Sequence, residues 1–133
     1  SIILSMTKSH TDILNLYNIC SSNIPDKNIP TLTPLIEEID EYLYAIDRLF
    51  WQLKFAGVFH HIKGLIIGHF SKLKDNDTSF GITLEEIILE KVKEFNYPVV
   101  FGFPAGHENE NKSIIFGAKA RLEVNQAATL RTV

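Results

Sequence analysis

A chain of 133 residues, 45% hydrophobic and 22% charged, has the size and composition of a single soluble domain, Ser1 to Val133, and is too short for a complete eight-fold barrel. Its net charge of −3, from 13 basic and 16 acidic residues without a basic stripe, argues against a nucleic-acid partner, whose phosphates are met by clustered Lys and Arg. The lone cysteine, Cys20, excludes an internal disulfide and a multi-thiol metal centre and fits a reducing compartment, while the apolar stretches SIILSM and GLIIGHF fall far short of the roughly 20 residues that cross a bilayer.

SIILSM also lacks the cationic leader and cleavage site of a signal peptide. Between Lys8 and Cys20, the apolar residues Ile13, Leu14, Leu16, Tyr17 and Ile19 predict a short amphipathic helix capped by Ser9, Thr11 or Asp12. Pro25, Pro30 and Pro34 lie in SSNIPDKNIPTLTP, which reads as an irregular connector. Leu35 and Ile36 then form a short strand that ends in the acidic run beginning at Glu37. In AIDRLFWQLKFAGVF, Ile46, Leu49, Phe50 and Leu53 recur at helical spacing, and Gly57 supplies the stop.

GLIIGHF, from Gly64 to Phe70, is short, partly β-branched and bounded by glycine, so it reads as a buried strand followed by the surface loop KLKDNDTS. Thr83 with Glu86 three residues on makes a capping box, and Ile87, Ile88, Val92 and Phe95 supply an apolar helix face before Pro98. PVVFGFPAG reads as a further buried strand entering a turn. Ile114 to Phe116 and the alternating Ala118, Ala120, Leu122 and Val124 predict two antiparallel strands joined near Gly117, with an edge strand over Leu130 to Val133. The order of elements defines an α/β domain: a mixed sheet flanked by helices, with a C-terminal antiparallel ribbon.

Three constellations are candidates for chemistry. His60, His61 and His69 with the acidic residues around Glu37 have poor spacing for a metal site, since neighbouring histidines diverge and no His-x-x-x-His pair lies on a helix. The glycines never form a phosphate cradle followed by Lys-Ser or Lys-Thr. Glu37 and His107 each follow a predicted strand, and loops at the carboxyl ends of strands are where α/β sheets assemble their sites. On spacing alone, a Glu opening an acidic run is most often a solvated surface charge and a His after a glycine most often a loop residue.

The ordered words LIEEIDEYLYAIDRLFWQLKFAGVF, KGLIIGHF, TLEEIILEKV and PVVFGFPAGHENENKSIIFGAKARLEV resemble the C-terminal domain of the serine L,D-carboxypeptidases, the family of muramoyltetrapeptide carboxypeptidases and microcin C self-immunity peptidases. The similarity runs from about Leu35 to Val124. It implies a Ser-Glu-His triad in which Glu37 is the first acid of an L-E-D-like strand end, ahead of Tyr44, Ile46, Asp47 and Arg48, and His107 closes the word Gly102-Phe103-Pro104-Ala105-Gly106-His107. It implies no metal and no cofactor, a murein tetrapeptide as substrate, a cytoplasmic role in peptidoglycan recycling, and homodimers.

Two departures stand out: Glu38 occupies a position where the family usually has Asp, and His10 to Ile13 do not match its G-G-N-L word. The family's nucleophile lies in an N-terminal domain, and Ser1, Ser5, Ser9, Ser21, Ser22, Ser71, Ser79 and Ser113 lack the context of a nucleophile elbow. The resemblance therefore implies a chain that lacks the N-terminal nucleophile domain, pairs with it in the complete enzyme and does not hydrolyse alone. The rival expectation is a non-catalytic α/β interaction or regulatory domain that keeps the fold.

Overall fold

The computed structural model describes residues 10–19, 32–115, 118–124 and 127–132. Six strands form one sheet in the order β4-β3-β2-β1-β5-β6: β1 His10–Ile19, β2 Leu32–Ile39, β3 Leu65–Ser71, β4 Val99–Val100, β5 Lys119–Val124 and β6 Ala128–Thr132. β1 to β4 run parallel to one another, and β5 and β6 add antiparallel to β1. The fold is thus α/β with a mixed sheet and a C-terminal antiparallel ribbon.

Helix α1, Leu43–Phe55, links β2 to β3, and α2, Leu84–Val92, links β3 to β4. Both crossovers step in the same direction along the sheet, so right-handed connections place both helices on the same face. Side-chain alternation confirms it. Ile36, Leu65, Ile67 and Val99 pack with Ile46, Phe50 and Leu53 of α1 and Ile87, Ile88 and Val92 of α2. Leu35, Ile66 and Val100 point the other way and join Ala120, Leu122 and Val124, with Phe103, Ala105 and Ile114 of the chain after β4 packed against them.

Local chemistry sets the helix ends. The Thr83 hydroxyl accepts from the Glu86 N–H at 3.2 Å, and the Glu86 carboxylate accepts from the Thr83 N–H at 2.7 Å, the reciprocal box that begins α2. α1 has no side-chain cap; its entry is held by the backbone, Leu43 N–H donating to the Lys74 carbonyl and Lys74 N–H to that of Glu41. Gly57, at φ 78°, stops α1 in the left-handed conformation that glycine adopts freely. Lys91 of α2 is fully buried, paired to Asp47 of α1 and set over the Trp51 ring.

Four expectations are corrected. The segment expected to be an amphipathic helix, Lys8 to Cys20, contains strand β1: its apolar residues fit helical spacing poorly, and as a strand the segment gains ladder partners on both edges, β2 and β5. β2 starts at Leu32, inside the expected connector, and Pro34 is accommodated because pairing with β3 begins only at Leu35; residues 20–31 lie outside the described residues. α2 ends well before Pro98, and Phe95 leaves the helix to stack on Tyr97. The antiparallel pair is β5 with β6, whereas Ile114 and Ile115 belong to no strand and Phe116 and Gly117 lie outside the described residues. Ile114 packs as loop across the sheet face, and its apolar character mimics a strand.

Candidate active site

The parallel strands bring the ends of β2, β3 and β4 to one edge, so residues far apart in sequence meet there. Between Ile36↔Ile67 and Glu38↔Phe70 the β2–β3 register shifts, which sets Gly68 and His69 against the single residue Glu37. Such a bulge bends the strand and re-aims side chains beside it. Beyond it the chain after β4 runs along β3: Phe103 N–H donates to the Ile67 carbonyl at 3.0 Å, and His69 N–H donates to that of Ala105 at 2.8 Å.

Glycine permits this approach at two points. A Cβ on Gly68 would lie 2.6 Å from the Ala105 carbonyl oxygen, and one on Gly106, where φ is 132°, would lie 3.3 Å from Oε2 of Glu37. The chain therefore passes directly over the Glu37 carboxylate and delivers His107 to it. His107 Nδ1 and Glu37 Oε2 are 3.0 Å apart. Glu37 is largely covered, with a side-chain exposure of 21%, while the imidazole is 53% exposed. The two residues line an open cavity of about 270 Å³ with Leu35, Asn111, Lys112 and Ile114.

A carboxylate at Nδ1 fixes the tautomer in which Nδ1 carries the proton. Nε2 is then the acceptor, on a ring open to solvent. Such a pair can take a proton from a hydroxyl brought to Nε2 and return it to a leaving amine, with the carboxylate stabilising the transient imidazolium. The nearby turns carry their own charges. Asp40, at φ 62° just after β2, donates its backbone N–H to the Ser71 carbonyl at 2.9 Å, and its carboxylate pairs with Lys74 at 2.8 Å. The hydrogen bond from Lys74 holds the Asp40 carboxyl below the usual carboxylate range.

Of the other singled-out residues, His60 and His61 lie apart from this pair, and His69 and Ser71 lie beside it. His60 meets the Phe95 ring edge-on and His61 is exposed. His69 lies at the bulge, its Nδ1 buried with no hydrogen-bond partner among the described residues. Among the described residues no group of three or more His, Cys, Asp or Glu is placed to hold a metal ion. Ser71 is buried and donates to Glu108 at 2.5 Å, and Ser79 donates to Asp75; Ser1, Ser5, Ser9, Ser21 and Ser22 lie outside the described residues. Sequence reasoning missed the bulge, for which Gly68 within a strand was the available signal, and the Ser71–Glu108 bond, for which there was none.

The fold and site together define an α/β domain with a Glu–His pair at the carboxyl edge of its parallel strands. Residues 16–122 match the family model of the LD-carboxypeptidase C-terminal domain, and the chain belongs to that family. It is 32% identical over 95 residues to a carboxypeptidase-family protein of Synechocystis sp., covering 71% of this chain and 31% of that one. It is 30% identical over 87 residues to a Bacillus subtilis protein named a probable murein peptide carboxypeptidase, covering 65% and 27%. The matched region thus spans less than a third of these relatives.

Among solved structures, the microcin C7 self immunity protein MccF superposes with a TM-score of 0.81 at 17% identity, over 98% of this chain and 41% of that one. Muramoyltetrapeptide carboxypeptidase from Oxalobacter formigenes gives 0.79 at 22%, over 97% and 48%. These likenesses establish the shared fold. Among the described residues no helix is long and apolar enough to cross a membrane.

Proposed function

We propose that this chain is the C-terminal portion of a serine L,D-carboxypeptidase that removes the terminal D-alanine from a murein tetrapeptide in the cytoplasm, and that Glu37 and His107 are its share of a Ser-Glu-His triad. The observation that carries this reading is the 3.0 Å contact between Glu37 Oε2 and His107 Nδ1, made across a cavity rim by a chain whose family is that of the carboxypeptidase C-terminal domain. Glu37 orients the ring, and His107 Nε2 acts as base toward a serine supplied by a preceding domain and then as acid toward the leaving D-alanine. The murein peptide named for the Bacillus subtilis relative supports that substrate class.

No metal or cofactor enters this scheme. The chain alone is expected to release no D-alanine from murein tetrapeptide in a chromatographic assay, and to support release when the serine-bearing portion of a family member is supplied. Release by the isolated chain, abolished by His107→Ala, would overturn the division of the triad between two domains.

A further inference from the structure

His107 sits in an exposed loop without regular secondary structure, yet its ring must stay within hydrogen-bond reach of Glu37. Its neighbours show what restrains it. On the N-terminal side, Asn111 Nδ2 donates to the Gly106 carbonyl at 2.8 Å, and Lys112 N–H donates to that of Pro104 at 2.7 Å. On the C-terminal side the restraint among the described residues is one long-range bond: the Ser71 hydroxyl donates to Glu108 Oε1 at 2.5 Å. Ser71 is the last residue of β3 and only 6% exposed. Its donor therefore has a fixed origin in the sheet, while Glu108 is covalently next to His107.

We infer that Ser71 and Glu108 are positioning residues that hold the His107 imidazole against Glu37, a role that deepens the functional reading above and rests on it. A hydrogen bond to an ionised acceptor is among the stronger kinds in proteins. Here it converts the buried end of β3 into an anchor for the residue beside the catalytic base. The loop is then pinned on both sides of His107, Gly106 by Asn111 and Glu108 by Ser71. A displacement of about 1 Å at such a base is enough to cost roughly 100-fold in rate, so an anchor at the adjacent residue acts on turnover more than on folding.

The test uses this chain and reads the Nδ1–H proton of His107 by NMR, assigned by its disappearance in Glu37→Gln and His107→Ala. Ser71→Ala and Glu108→Ala are each expected to speed exchange of that proton with water by about tenfold or more, the scale set by losing a hydrogen bond to a charged acceptor. Ser71→Thr, which keeps the hydroxyl, is expected to restore slow exchange. The double variant should match either single one, as two ends of one bond do. Exchange unchanged in Ser71→Ala, or effects of the two variants that simply add, would overturn the positioning role while leaving the Glu37–His107 pair standing. Absence of the protected proton from the parent chain would contradict the pair itself, and the anchor with it.

Discussion

The helix-covered face of the sheet and its carboxyl edge are held together by different physics. On the face, Phe50, Phe59, Leu53, Leu65 and Ile87 have essentially no exposure and belong to one continuous apolar cluster. At the edge, Phe101, Phe103 and Ala105 still pack into the apolar clusters, but the chain from Gly106 to Lys112 is placed by a few individual hydrogen bonds and by two glycines that let backbones pass. Burial is non-directional and summed over many contacts, whereas each polar contact at the edge has a specific geometry. The bulk of the fold and the geometry of the Glu37–His107 pair therefore rest largely on different contacts. Substitutions on the face should act on melting, and those at the edge on the Glu37–His107 pair.

The largest expected effect on stability lies on the face. Phe50→Ala removes a fully buried ring stacked on Phe59 and should destabilise the chain by about 3–5 kcal/mol in urea unfolding; a loss below about 1 kcal/mol would show that the cluster relaxes and that the face is not a close-packed core. A smaller loss of stability with a larger effect on the site is expected for Gly68→Ala. The new Cβ would meet the Ala105 carbonyl oxygen, which already accepts from His69 N–H. The chain after β4 must lift, at a cost of about 1–3 kcal/mol, and the Glu37–His107 contact should be lost in the NMR spectrum. Retention of that contact would mean that the glycine is not what permits the approach.

The smallest expected effect comes from a polar group inside the apolar region. Tyr97 is buried in the helix-side cluster, with its hydroxyl unpartnered among the described residues, and burial pushes its phenol well above the ordinary range. Removing an unsatisfied hydroxyl there should leave Tyr97→Phe as stable as the parent or more stable by up to about 1 kcal/mol at neutral pH. The folded pKa is raised above the unfolded value near 10. The neutral phenol's contribution is thus fully present below about pH 10 and is lost as pH rises above it. The parent should lose stability in that alkaline window, and Tyr97→Phe should lose less; identical alkaline profiles would remove Tyr97 as a cause.

The same division explains what was legible in the sequence. α1, β3 and the start of α2 are encoded locally, by the spacing of Ile46, Phe50 and Leu53, by glycine-bounded GLIIGHF, and by the Thr83–Glu86 box. β1 was not, because its conformation is decided by pairing with β2 and β5 rather than by its own pattern. The Ile114–Ile115 pair misled for a similar reason: Ile114 covers the sheet from a loop while Ile115 is exposed, and such an apolar pair reads like a strand until its partners are known. At the site, Glu37 and His107 were marked by strand-end position and by family words. The bulge opposite Glu37 left one local sign, Gly68 inside a strand, whereas the Ser71 bond to Glu108 joins segments distant in sequence and no local pattern encodes it.

The proposal that His107 acts as a base without serving as a structural element is decided by measuring D-alanine release and thermal unfolding side by side for the parent and His107→Ala, each supplied with the serine-bearing portion of a family member. The imidazole is half exposed, so the unfolding free energy should stay within about 0.5 kcal/mol while the turnover number falls roughly 10⁴-fold or more. Turnover within tenfold of the parent would rule out His107 as the base, as would a fall in turnover matched by loss of the folded state.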